Sequence, residues 1–379
     1  MRFKSYGQIC VILVATLSCE DALPGAGVIT PANAADLLLR GPVASGQIGD
    51  YFLRNEQLIA IIQRPGRSFC ASPYGGNLID VATLADKRDV LGEMIPVFQL
   101  GMTANFSKVR VLQDGTGGEP AVLEAEGEDD LWDFINIESL APSLFRYSTD
   151  EFGAPMGLLK FQPDADLPIR ITARYSLASG ASELQVRYFV ENLSTQDTGL
   201  RPAMAVDMRG EVEPYTPGVG FADAGVSFSN FEQLFEPVPE TSFLGYQSDG
   251  YAMGLRGTIA GQSGHPPIFS LVVIGIGIFV FGEPSLFELL DETPSFVLRP
   301  HEVFEYGIDL ALRRDIGGLR AWAEPSANFG AVQGHVREAS TKKPIGDARV
   351  AVLNPSTSAV EAVLVSDSDG SFSGKIPAG

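Results

Sequence analysis

An all-β protein is what this sequence predicts, and three observations carry the prediction. Apolar and polar residues alternate with period two over Ile169–Leu177 and again over Leu184–Glu191, the pattern of strands with one buried face. The chain carries 41 glycines and 25 prolines in 379 residues, more than helices tolerate but suited to many strands joined by turns. No long stretch shows the i, i+3, i+4 apolar spacing of an amphipathic helix. With 45% hydrophobic and 20% charged residues, the composition is that of a folded chain with room for more than one core.

Taken in order, residues 1–19 read as a signal peptide. Arg2 and Lys4 precede the nine-residue apolar run Ile9–Leu17, too short for a membrane span of about 20 residues. Thr16-Leu17-Ser18-Cys19 resembles the lipobox of bacterial lipoproteins, with Thr16 standing where that motif has leucine. The resemblance implies export, lipidation at Cys19, and a place in the cell envelope, outer membrane or periplasm, with the lipid as the only membrane contact. Cys10 lies within the apolar run, so Cys70 is left alone in the folded body. It can form no internal disulfide or cysteine metal cluster, and a buried inert thiol is its simplest reading.

Residues 20–36, rich in Pro, Ala and Gly, read as a flexible tether. A large β domain is expected over 37–318. Tyr51–Gln63 reads as two strands around Asn55-Glu56-Gln57, and Gly75-Gly76-Asn77 as a turn before another strand. Val109–Gly127 reads as a hairpin whose Asp114-Gly115 and Gly117-Gly118 supply positive-φ positions. Ile169–Asn192 gives two strands joined around Ser179-Gly180. The 12-residue apolar run Leu271–Gly282, with its β-branched residues and glycines, is expected to be one strand buried on both faces. Residues 319–330 form a linker or short helical connector, and a second small β module is expected over 331–379.

Two stretches carry a family resemblance. Tyr175-Ser176-Leu177, Glu183-Leu184-Gln185-Val186 and Asn192-Leu193-Ser194 resemble the central strands of galactose-mutarotase-like β-supersandwich domains. Phe296 to Glu302 resembles that family's late leucine-proline-glycine-glutamate turn, with His301 in place of the glycine. Gly334-His335-Val336, Lys343-Pro344-Ile345 with Ala348-Arg349-Val350, Asp367 to Phe372 and Pro377-Ala378-Gly379 resemble a carboxypeptidase-regulatory-like (prealbumin-like) module. That resemblance implies a non-catalytic, Ig-like sandwich of which 331–379 is an incomplete part. The two modules behind a lipoprotein-like signal also resemble the N-terminal half of secreted bacterial metallohydrolases of the PHP (polymerase and histidinol phosphatase) type. There the metal-dependent catalytic domain would follow Gly379 in the same gene product.

The function classes narrow accordingly. A formal charge of −20 repels a phosphate backbone and excludes nucleic acid as a partner. Mutarotation needs a general acid and a general base, and the chain has only His265, His301 and His335; the segment after Asn192, where the resembled enzymes carry a histidine, has none. No catalytic residue, metal or cofactor is therefore expected. Asp367 and Asp369 do not make a calcium loop, because taking Gly370 as its sixth residue puts Val365 first and Ile376 twelfth. The expected partner is a saccharide or cell-envelope glycan. Its candidate ligands are Asp207, Arg209 and Glu211 for sugar hydroxyls and Trp132 for stacking on a ring. Asp207 and Arg209 can equally pair with each other, and Trp132 can equally serve the core. The function read from sequence is a non-catalytic, carbohydrate-binding-like accessory protein of the bacterial envelope; the alternative is the accessory portion of a PHP-type hydrolase.

Overall fold

A computed structural model describes residues 25–67, 74–98, 102–129, 167–208, 212–217, 219–221, 226–227, 241, 243–262, 266, 268–273, 276–281, 296–325, 327–358 and 360–377. The chain is all-β. Among the described residues seventeen strands form one hydrogen-bonded network that divides into two facing sheets. Sheet one runs, in spatial order, β1 (Ala26–Val28), β2 (Tyr51–Arg54), β3 (Leu58–Ile62), β4 (Leu78–Thr83), β5 (Glu93–Phe98), β11 (Pro202–Asp207), β17 (Ile276–Phe281), β16 (Ile268–Val273) and β13 (Val226–Ser227). Sheet two runs β6 (Met102–Asp114), β7 (Ala121–Asp129), β8 (Ile169–Leu177), β9 (Glu183–Asn192), β19 (Val303–Arg313), β15 (Ala252–Ile259), β14 (Leu244–Gln247) and β12 (Glu213–Tyr215). The first residues of β6 pair with β5, so this one strand passes from sheet one into sheet two. A short pair, β10 (Thr198–Leu200) with β18 (Phe296–Leu298), stands apart.

Between the sheets lies one continuous apolar core. From β8 the inward residues are Ile169, Ile171, Ala173, Tyr175 and Leu177, the set given by the period-two pattern. Three buried tyrosines cross this core and donate their hydroxyls to carbonyls of sheet one or its loops. Tyr175 reaches Gly76 (2.8 Å), Tyr306 reaches Ala203 (3.3 Å), and Tyr251 reaches Arg88 (2.9 Å). Each hydroxyl buried this way keeps a partner and fixes the spacing of the two sheets. A smaller cluster of Ile29, Leu37, Phe52, Ile59, Ile61 and Ile79 covers the opposite, outer face of sheet one.

The motif residues of the sequence have structural tasks. Asn192 is a fully buried hub: its Nδ2 donates to Leu298 O (2.9 Å) and Gln196 O (2.8 Å), and its Oδ1 accepts from Ser194 N (2.9 Å). His301 sits at φ 61° in the turn before β19 and donates its backbone N–H to Asn192 O, which explains why glycine suits this place. The hairpin glycines Gly115, Gly117 and Gly118 all have positive φ, as expected.

Two expectations need correction. The apolar run at 271–282 is not one strand: β16 and β17 are antiparallel partners within it and just before it, since most strands run about 5–6 residues before turning. The segment expected to be a tether is partly built into the fold: Ala26–Val28 pairs with β2, Ile29 is fully buried, and α1 (Ala34–Leu37) follows.

Downstream, α2 (Ile316–Ala323) occupies the beginning of the expected linker. Asp315 caps it by accepting from Gly318 N at 2.8 Å. The remaining strands form two pairs, β20 (Phe329–His335) with β23 (Ser371–Pro377) and β21 (Arg349–Leu353) with β22 (Val360–Val365). They pack on α2 and sheet two through Val363, Ile316, Leu319, Phe243 and Tyr215, and Arg320 donates to Glu361 (2.6 Å). The Asp367–Phe372 segment is a turn, with Gly370 at φ 78° and its N–H donated to Asp367 O. Phe372 returns toward the sheet: a Cβ at Gly334 would stand 2.5 Å from its ring.

Candidate functional site

Alternation along sheet one sends Met94, Phe98, Met204 and Val206 into the main core. The intervening residues therefore face outward, and β5–β11 pairing sets Glu93 directly opposite Asp207. Register extends this tier across the sheet. Asn77, one residue before β4, donates Nδ2 to Glu93 Oε1 at 3.4 Å. Gln63, one residue past β3, pairs by backbone with Asn77 (N–H to O, 2.8 Å). Asp50, one residue before β2, lies one step beyond the Tyr51–Ile62 pair and so opposite Gln63. Five polar side chains, Asp50, Gln63, Asn77, Glu93 and Asp207, thus form a row across five neighbouring strands, and none is more than 2% exposed.

The row is supported unevenly. Asp50 accepts from Gln47 N (2.8 Å), Arg64 N (3.0 Å) and the Arg67 guanidinium. Arg67 also donates to Ser45 O (2.6 Å), which ties the loop before β2 over the outer face. The same loop is held by Asp80, one tier over on β4, whose carboxylate accepts from Ser45 N (2.9 Å) and Gly46 N (2.8 Å). Burial pushes the Asp80 carboxyl above the usual carboxylate range despite these bonds, and neighbouring Asp50 adds to the push. At the far end Gly92 leaves room for Asp207: a Cβ there would stand 2.5 Å from the Asp207 Oδ2. Gln63 is different, because neither its Oε1 nor its Nε2 has a hydrogen-bond partner. Each such buried group costs about 1–3 kcal/mol.

Of the residues singled out from sequence, Asp207 belongs to this row. Cys19, Trp132, Arg209 and Glu211 lie outside the described residues, as do Cys70 and His265. Of the other histidines, His301 is in the β18–β19 turn and His335 ends β20; neither is on sheet one. Sequence reasoning missed Asp50, Gln63, Asn77 and Glu93. The available signal was a polar residue punctuating an otherwise apolar strand, as Glu93 does at the head of Glu-Met-Ile-Pro-Val-Phe.

A concavity opens on sheet two, a cleft of about 210 Å³ lined by Asn105, Ser107, Glu126, Gly127, Glu128, Asp129 and Arg170. Arg170 is tied to Glu191 at 3.0 Å. Among the described residues no group of three or more His, Cys, Asp or Glu is arranged to hold a metal ion.

No protein-family model and no curated protein matches the sequence. Solved structures are similar in outline. A protein from Synechocystis is 8% identical over 73% of this chain and 98% of its own, with a TM-score of 0.39. A galactose mutarotase-like protein from Clostridium acetobutylicum is 10% identical over 70% of this chain and 95% of its own (TM-score 0.37). A putative aldose 1-epimerase from Klebsiella pneumoniae is 9% identical over 79% of this chain and 94% of its own (TM-score 0.38). At such scores the likeness fixes no residue role in this chain.

Proposed function

We propose that this chain is a non-catalytic saccharide-binding accessory protein of the bacterial cell envelope, exported and anchored by lipid at Cys19, with the row on sheet one as its ligand site. The observation that carries the reading is the placing of Glu93 directly opposite Asp207, in line with two carboxamides. Two carboxyls facing each other across a buried strand pair are costly to place, and apolar residues of similar volume would pack as well or better. Their retention favours a ligand that uses them. Carboxylates accept hydrogen bonds from neutral hydroxyls and repel anions, while carboxamides both donate and accept. A neutral, hydroxyl-rich molecule answers that description, and the sequence resemblance to galactose-mutarotase-like domains supports the same class. Asp207, identified from sequence, is the shared residue of both lines of support.

The test is isothermal titration of the full chain with neutral hexoses and with lactose, maltose and cellobiose. Binding of at least one is expected, weakened about tenfold or more by Asp207→Asn, which removes a charged acceptor worth about 1.5–3 kcal/mol. No heat with any of these sugars would sink the reading.

A further inference from the structure

Gln63 is the exception within the row. Asp50 is held by Arg67 and two backbone amides. Asn77 donates to Tyr74 O (3.1 Å) and to Glu93. The backbone of Gln63 is fully used, its N–H donating to Asn77 O and its carbonyl accepting from Gly76 N at 2.9 Å. Its side chain is fully buried and unpartnered on both polar atoms. Among the described residues no other carboxamide shares that condition. Its neighbours along β3, Ile59, Ala60, Ile61 and Ile62, are apolar and equally buried, so an isoleucine or methionine would continue the strand without an orphaned amide.

We infer that Gln63 is the specificity-determining residue of the proposed saccharide site, and that it reads two adjacent hydroxyls of the sugar. The inference rests on the saccharide reading above. A carboxamide presents an acceptor and a donor side by side. A vicinal diol is its complement, because one hydroxyl donates to Oε1 while the other accepts from Nε2. A carboxylate in this place could not donate to the second hydroxyl, and a hydrocarbon would engage neither. Glu93 and Asp207 lie two and three strands further along the tier, roughly 10 and 14 Å away at ordinary strand spacing, where they would meet a second ring joined to the one on Gln63. A buried polar group with no partner discriminates strongly, since a ligand lacking the matching hydroxyl leaves it unsatisfied in the complex as well.

The experiment combines titration and thermal melting of the full chain, comparing wild type with Gln63→Met. The probes are the methyl glycosides of glucose, galactose and mannose and their monodeoxy analogues. Gln63→Met is expected to raise Tm, since the stranded amide is gone, yet to bind the preferred glycoside about tenfold more weakly. One monodeoxy analogue should show the same loss with wild type and no further loss with Gln63→Met. Equal affinity of wild type and Gln63→Met for every glycoside would overturn the inference and leave the saccharide reading standing. No binding by wild type overturns that reading, and the inference with it. Should Gln63→Met fail to fold, Gln63→Glu serves instead: it keeps the acceptor, lacks the donor and must weaken the same glycoside, and unchanged affinity again overturns the inference.

Discussion

The outer faces of the two sheets solve the problem of polar residues in opposite ways. On sheet two the acids Glu124 and Asp309 are buried too, but each is shared between two arginines. Glu124 on β7 accepts from Arg110 on β6 (3.0 Å) and from Arg174 on β8 (2.8 Å). Arg174 stands directly opposite Arg187 on β9, an unfavourable pair, but each turns to another acid. Arg187 donates to Asp309 on β19 (2.6 Å), which also takes Arg256 from β15 (3.1 Å). Arg256 lies 4.4 Å over the Trp322 ring, and the Trp322 indole donates to Glu183 at 2.5 Å. That face is a self-neutralised ladder. On sheet one the polar row is buried, rich in acids and, at Gln63, unpaired. A ladder of mutually paired charges asks for no ligand; a buried row that leaves an amide unpaired costs the fold more, which points to a use.

The largest effect that would test this contrast is at Arg67. Arg67→Ala leaves the buried Asp50 carboxylate with only the Arg64 guanidinium, 3.9 Å away, as an ionic partner and should cost about 3–5 kcal/mol in urea unfolding. A loss below about 1 kcal/mol would place the row in the same energetic class as the paired ladder of sheet two.

Asp89 gives the next largest effect. It is fully buried, accepts from Val81 N (2.8 Å) and Leu91 N (3.3 Å) with Oδ1, and leaves Oδ2 without a partner. Burial, reinforced by the charge of Asp80, pushes its carboxyl well above the usual range. The folded state therefore holds this proton more tightly than the unfolded chain. Its contribution is fully present below the ordinary carboxylate pKa and is lost as pH rises through the raised folded value. Asp89→Asn should stabilise the protein at pH 7 by on the order of 1–3 kcal/mol and flatten that part of the pH profile. Destabilisation at pH 7 would mean that the ionised form is held by something stronger than two backbone amides.

Arg110→Ala on sheet two should be the smallest change, under about 1 kcal/mol, because its side chain is 47% exposed and Arg174 still serves Glu124. Glu124 has the opposite sign of pH dependence from Asp89. Burial raises its pKa, but the hydrogen bonds from Arg174 and Arg110 outweigh this and hold it below the ordinary value. Its contribution is present above the unfolded pKa and lost as pH falls through the depressed one. Urea melts across the acid range should show Glu124→Gln removing a small acid-limb loss, and a large one would contradict the cheap-ladder account.

Much of sheet two was legible because its signal is local. Ile169–Leu177 alternates through nine residues, and each inward side chain in the structure is the one the alternation gives. The hairpin glycines Gly115, Gly117 and Gly118 were legible for the same reason, since a positive φ is a property of one or two residues. The run at 271–282 was misread because an unbroken apolar stretch has no period to say where a strand turns back. The row was almost wholly illegible. Asp50, Gln63, Asn77, Glu93 and Asp207 are spread over 158 residues of sequence, and only Asp207 was singled out.

That the chain is all-β, which faces of its clearest strands turn inward, and where its tight turns need glycine can all be read from short stretches of residues. Those follow from side-chain period and backbone sterics acting over a few residues. That Glu93 on β5 faces Asp207 on β11, and that an ordinary-looking glutamine after β3 is buried without a partner, emerges only from the assembled sheets. Register between strands distant in the chain is set by the packing of the whole sandwich, and the polar row exists only once that register is fixed.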